Sequence, residues 1–304
     1  MSTQRNRGRL RTVLVAVLLV VGALPASAGP AAAIQSCPSG ATGPIASWTT
    51  VFKSRGVTLC KGFNSFGTRT AYVTIVDFAE HAKMRIVSTV SGGNRGNTNT
   101  LFTKRTAEQW FTAIEGGIVT NPPAGRLFSV TNASFFTTTS GSTTTLSFPE
   151  KTGGSPASLG WVLQNHSDPG WDLAKRRFGL GIVSDTTQTW TKTNFTTHYT
   201  STEAQLSSSW EGLVALSPGA GSQTETRSRN MMGFNTSTSR VYILSTLGAY
   251  TLPQGSTVLG AFGSTSEIQI DGGGSTQMYN DSSPGDTIFS SRAVPDVLAV
   301  YLAP

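Results

Sequence analysis

The stretch Glu267 to Thr276, E-I-Q-I-D-G-G-G-S-T, places the tightest constraint on how this chain folds. Its first four residues alternate in polarity and predict a strand, which runs Asp271 directly into three glycines. Glycine tolerates positive φ and carries no Cβ. The amides of Gly272, Gly273 and Gly274 can therefore converge on an anion beside the Asp271 carboxylate and the Ser275 hydroxyl. An acid beside an anion pocket suits work on a phosphate ester. The same residues also fit an Asp-Gly turn between two strands, or a flexible tri-glycine link.

Two further stretches give the motif company. Leu127 to Phe136, L-F-S-V-T-N-A-S-F-F, reads as an apolar strand ending in Asn132, two small residues and the pair Phe135-Phe136. Thr226 to Phe234, T-R-S-R-N-M-M-G-F, carries Arg227 and Arg229, two apart and so on one side of an extended segment. The strand-like R-V-Y-I-L-S follows from Arg240, and Arg292-Ala293-Val294 precedes a last apolar run, V-L-A-V-Y. In order and approximate spacing these segments resemble the phosphodiester glycosidase family. That family shows Asn-small-small-Phe-Phe, then Pro-Arg-Thr, then Leu-Asp-Gly-Gly-Gly-Ser, then Arg-x-Val. Here Ala133 and Ser134 stand where the family has glycines, and Ser228-Arg229-Asn230 stands for Pro-Arg-Thr.

The resemblance implies a secreted hydrolase that cleaves the glycosidic bond between a sugar's anomeric carbon and a phosphodiester-linked phosphate. Phosphate is already a good leaving group, so electrostatics carries more of the barrier than general acid catalysis does. By the resemblance, Arg229 holds phosphate oxygens through its planar fork, and Gly272, Gly273, Gly274 and Ser275 complete the anion pocket. Asp271 acts on the sugar side, as base or nucleophile or by orienting hydroxyls. Asn132 bonds the substrate and Phe135 or Phe136 shapes the wall. A second carboxylate stays open among Asp185, Glu203, Glu211 and Glu225, and with it the choice between retention and inversion. No cofactor is implied. The partner is a sugar-phosphodiester or a phosphate-linked glycan.

Arg5, Arg7, Arg9 and Arg11, an apolar run from Val13 to Leu24, and Ala26-Ser27-Ala28 predict a signal peptide over residues 1–28. The apolar run is short for a membrane span, so the mature protein is expected to be extracellular and free of the membrane. The leader also takes four of the seven net positive charges, leaving +3. That balance, with no basic stripe carrying interleaved aromatics, points away from nucleic acid. The only two cysteines, Cys37 and Cys60, predict a disulfide in an exported chain. His81, His166 and His198 form no metal-ligand pattern.

Residues 29–60 read as a flexible leader with that disulfide loop, and 61–304 as a single catalytic domain. Short β-branched runs, few charges and many Ser, Thr and Gly predict an α+β, sheet-dominated fold with a few helices. Ala71–Phe78 and Lys83–Val90 read as a strand pair, with Asp77 entering the turn between them. Thr106 caps a helix that Gly116 and Gly117 stop. Further strands are expected at 144–148, 159–164, 178–183, 213–216, 240–245, 267–270 and 297–302, with a short helix over 252–262. Two other function classes stay open. One is a non-catalytic secreted carbohydrate-binding protein on the same fold. The other is a calcium-stabilised surface protein using Asp271, Asp281 and Asp286.

Overall fold

A computed structural model describes residues 34–304, apart from 98, 138–139, 153–154, 159–175, 183–187, 189, 195–209, 221–222 and 283–284. The leader 1–28, the expected strand at 159–164, Asp185 and Glu203 lie outside the described residues. In chain order the strands are β1 (Ser47–Ser54), β2 (Val57–Phe63), β3 (Arg69–Asp77), β4 (Lys83–Ser88), β5 (Val90–Gly92), β6 (Leu101–Thr103), β7 (Leu127–Asn132), β8 (Thr143–Thr144) and β9 (Glu150–Thr152). They continue as β10 (Ser155–Ser158), β11 (Arg176–Ile182), β12 (Trp190–Asn194), β13 (Trp210–Leu216), β14 (Asn230–Asn235), β15 (Arg240–Thr246), β16 (Ser266–Ile270), β17 (Met278–Asn280) and β18 (Asp296–Tyr301). Helix α1 spans Ala107–Glu115 and α2 spans Leu252–Ala261.

Period-2 alternation sorts these strands into layers. One large sheet runs β1-β2-β3-β15-β14-β16-β13-β11-β12, with β9 and β10 attached at β13; a second runs β17-β7-β18-β4. In β15, Val241 and Ile243 face one core while Tyr242 and Leu244 face another. The first core, with Ile268, Ile270, Phe128, Leu298 and Val300, fills the space between the two sheets. The second lies under α2, against Val258, Leu259 and Phe262. A third packs Trp110, Phe111 and Ile114 of α1 on Val297, Ala299 and Tyr301. The result is a sheet-dominated α+β fold. Strand β18, D-V-L-A-V-Y, is buried on both faces because each face meets a core.

Both helices carry capping boxes, Thr106 with Gln109 and Thr251 with Gln254, which satisfy amides the first turn would leave unpaired. The expected pairing of β3 with β4 does not occur: β3 pairs with β2 and β15, and β4 with β18. The turn after Asp77 carries the chain from one sheet to the other. Asp77 takes Ala79 N at 3.1 Å and Arg240 Nε at 2.7 Å, so it serves the turn and holds β15. Lying at a sheet edge, β4 gives its Met84 and Ile86 amides to Gln188 Oε1 and Glu211 Oε2, side chains that block further strand addition. Of the strand expected over 144–148, only β8 and an isolated Phe136–Leu146 bridge form.

The large sheet begins at Ser47, inside the span 29–60 expected as leader. Chain before it is also docked: Gln35 donates to Phe262 O at 2.6 Å and accepts from the Tyr242 hydroxyl at 3.1 Å. Cys37 is bonded to Cys60 in β2. A flexible reading from composition misses these long-range contacts, because small and polar residues dock readily against a sheet built elsewhere in the chain.

Candidate functional site

The glycine turn sits where the two sheets meet at the end of β16. Asp271 N donates to Ala133 O at 2.9 Å, and Asn132 Nδ2 donates to Asp271 O at 2.8 Å, so β7 of the second sheet grips the aspartate's backbone. Asn132 Oδ1 accepts from Gln277 N at 2.9 Å and from Asn230 Nδ2. The fully buried Asn132 amide is thus occupied by protein partners and locks three segments together, in place of the substrate contact expected of it. Asn132 thereby joins the Asp271 turn to Asn230, the residue next to Arg229.

Two of the three glycine amides of the expected anion nest are engaged within the protein. Gly272 N donates to Asp271 Oδ1 at 2.9 Å and Gly273 N to Ser228 O at 2.8 Å. Gly273 has φ +61°, which glycine adopts without strain. At Gly272 and Gly274 the absent side chain matters for space. A Cβ on Gly272 would lie 3.1 Å from Ser228 O, and one on Gly274 only 2.8 Å from a guanidinium nitrogen of Arg292. The turn therefore orients Asp271 and lets an arginine lie flat against the chain.

That arginine is Arg292. Its Nη1 donates to Ser275 Oγ at 3.3 Å, and Ser275 helps lower the pKa of the Asp271 carboxyl. Gln277 Nε2 fixes the Arg292 carbonyl at 2.9 Å, and Ser290 Oγ accepts Arg292 N at 3.1 Å. Lys104 is close enough that Arg292 helps lower its ammonium pKa, after burial, the larger cause. Arg227 passes Gly273 with its Cδ 3.8 Å from where a Cβ would sit, half-exposed and paired with Glu225.

Arg229, the expected phosphate fork, is placed elsewhere. Only 3% of it is exposed, its Nε donates to Tyr250 O at 3.0 Å and its Nη2 to Glu225 O at 2.6 Å. Strand alternation explains this: Asn230 points to Asn132 and the glycine turn, so Arg229 beside it points to the opposite face. Burial first and Arg227 second lower the pKa of its guanidinium. Its role in the structure is to tie the Tyr250 and Glu225 loops to β14.

The Asp271 carboxyl is pushed up to about 7, by burial above all. Ser275 and the Gly272 amide oppose the rise, nearby Asp296 adds to it, and Arg292 offsets part. Asp296 is wholly buried, and Ser134 N donates to its two oxygens at 3.0 and 3.2 Å. Ser134 Oγ donates at 3.1 Å to Glu150, which also takes the Ser88 hydroxyl at 2.8 Å. Burial and then Asp296 hold the Glu150 carboxyl well above the usual range. One residue, Ser134, therefore joins two buried acids, of which Asp296 also bears on Asp271.

Neither Glu150 nor Asp296 was among the acids the sequence offered. Glu211 is bound to Arg85 Nε at 2.5 Å and to the Ile86 amide, and Glu225 pairs with Arg227. The available signal was an acid opening an apolar run, as in P-D-V-L-A-V-Y, where a solvated turn residue is the ordinary reading. Phe135 stacks edge-on against Phe148 with centroids 5.5 Å apart, and Lys104 Nζ lies 5.9 Å from the Phe136 ring centre. The acids of the calcium reading are apart: Asp281 pairs with Arg126, while Asp286 takes Lys61 and the Tyr72 hydroxyl. Among the described residues no group of three His, Cys, Asp or Glu is arranged to hold a metal ion.

No family model and no curated protein matches the sequence. Among solved structures, the chain is similar to a protein of Burkholderia pseudomallei K96243 described as exported, at 10% identity and TM-score 0.53, covering 78% of this chain and 74% of that one. It also aligns with the catalytic domain of zebrafish N-acetylglucosamine-1-phosphodiester alpha-N-acetylglucosaminidase, auto-inhibited by its pro-peptide, at 12% identity and TM-score 0.49, over 84% and 88% of the two chains. A hypothetical protein from Synechocystis aligns at 10% identity and TM-score 0.46 over 84% of this chain, which spans 64% of that protein's length. At such identities the likeness to the Burkholderia protein shows the fold alone.

Proposed function

We propose that this protein is an exported hydrolase that cleaves the glycosidic bond between a sugar's anomeric carbon and a phosphodiester-linked phosphate. The observation that carries the reading is Asp271: a carboxyl raised to about 7, oriented by the Gly272 amide, with Arg292 over the same turn. A group so poised exchanges its proton near neutral pH. Arg292, with Arg227 at the rim, would take the phosphate oxygens and stabilise the negative charge that develops as the glycosidic bond breaks. Asp271 would act at the anomeric carbon, as nucleophile or as base toward water. Asn132, through the Asp271 carbonyl, would position that carboxylate, and burial, with Asp296 nearby, would keep its proton affinity high.

Export is supported by the tripartite leader and the disulfide. Among the described residues no helix is long and apolar enough to cross a membrane. Turnover of a chromogenic sugar-phosphodiester by the secreted protein tests the reading. Cleavage at the anomeric carbon frees the sugar and leaves the chromophore as its phosphate monoester, so the reaction is read as free sugar, or as colour after a phosphatase is added. Sugar release that is lost in Asp271→Asn supports the reading; no release by the unaltered protein across a panel of sugars overturns it.

A further inference from the structure

Phe289 is 71% exposed, yet the backbone on either side of it is pinned. Ile288 exchanges two backbone hydrogen bonds with Met278 of β17, at 2.8 and 3.0 Å. Ser290 Oγ donates to Gly274 O at 2.6 Å. A large apolar side chain costs free energy in water, and an aromatic on a mobile loop can fold back onto the protein. Phe289 is held where its ring stays presented to solvent.

Beside the ring lies a cavity of about 90 Å³, whose lining includes Thr106, Glu108, Gln277, Tyr279, Phe289 and Ser290. It mixes one exposed aromatic face with a hydroxyl and a carboxylate at the start of α1. A pyranose ring has the matching character, with an apolar C–H face and a rim of hydroxyls. The cavity shares Ser290 and Gln277 with the reactive turn, since Gln277 Nε2 reaches the Ser275 and Arg292 carbonyls at 3.3 and 2.9 Å.

We propose that Phe289 and this cavity form a subsite for one pyranose ring, stacked on Phe289 with its hydroxyls toward Glu108 and Thr106. The cavity is too small to enclose a sugar, so it takes one edge while Phe289 covers a face. That this sugar belongs to the hydrolysed substrate rests on the phosphodiester reading above; the sugar contact itself does not.

The test is saturation-transfer NMR on the secreted protein with methyl pyranosides of gluco, galacto, manno and N-acetylglucosamine configuration. At least one is expected to receive saturation on its ring protons. Phe289→Ala should weaken that binding roughly tenfold and Phe289→Tyr should preserve it, with an unchanged unfolding midpoint in both. Absence of transfer to every pyranoside, or equal binding by Phe289→Ala, overturns the subsite. Binding that depends on Phe289 in a protein with no phosphodiester turnover retains the subsite and removes the hydrolase reading alone.

Discussion

Replacing Asp271 with Asn should make the protein more stable at pH 8 while abolishing its activity. Asp271 ionises at about 7 in the fold, against an ordinary value of 3.8. Below about pH 4 the carboxyl is protonated in both folded and unfolded chains. Between about 4 and 7 the unfolded chain releases its proton and the folded one keeps it, so stability falls as pH rises, and above 7 it levels off. The gap corresponds to about 4 kcal/mol, and local relaxation with water entry would bring the measured loss to about 2–4 kcal/mol. Asn keeps an oxygen for the Gly272 amide, held at 2.9 Å, and has no charge to bury. Urea unfolding of both proteins from pH 4 to pH 8 reads the effect. The curves should approach each other at pH 4 and separate steadily to pH 7, with the variant the more stable. Under the proposed function, turnover by the unaltered protein should rise through about pH 7 as the carboxylate forms. Parallel stability curves would refute the claim that burial raises Asp271, and near-normal hydrolysis by the variant would remove it from the reaction.

The two arginines should separate in their effects. Arg292→Lys loses the planar fork on the turn and should reduce phosphodiester turnover at least tenfold with the melting temperature nearly unmoved, whereas Arg229→Lys should cost about 2 kcal/mol of stability through its bonds to Tyr250 O and Glu225 O. The reverse pattern in melting and rate measurements would reassign the phosphate to Arg229. Gly274→Ala should fold but push the flexible Arg292 side chain aside, since the new methyl would sit 2.8 Å from its nitrogen; a raised KM for the phosphodiester is expected, and unchanged kinetics would show that Arg292 has no part in binding. Cys37→Ser should lower stability by about 3 kcal/mol for a loop of 23 residues, read by denaturant midpoint, and intact mass before and after reduction should differ by two hydrogens in the unaltered protein.

Short-range pattern decided much of this molecule. The capping boxes at Thr106 and Thr251, the apolar alternation of β15 and β18, and the entry of β16 into Gly272 are dictated by propensity and period, which act over a few residues and can be read along the chain. Asn132, Asn230 and Asp271 meet because their strands, distant in sequence, end beside one another. What only the tertiary structure decided is where each side chain points once the sheets are stacked. Asn230 and not Arg229 faces the turn because adjacent strand residues take opposite faces, and the register is set by pairing with β15 and β16, far away in sequence. The partner of β4 is β18 and not the nearby β3, since each sheet buries its apolar face only by recruiting distant strands. Glu150 and Asp296 are 146 positions apart, and no local signal joins them. Their pairing through Ser134, and the raised proton affinity of Asp271, arise from desolvation, which exists only after the core has closed.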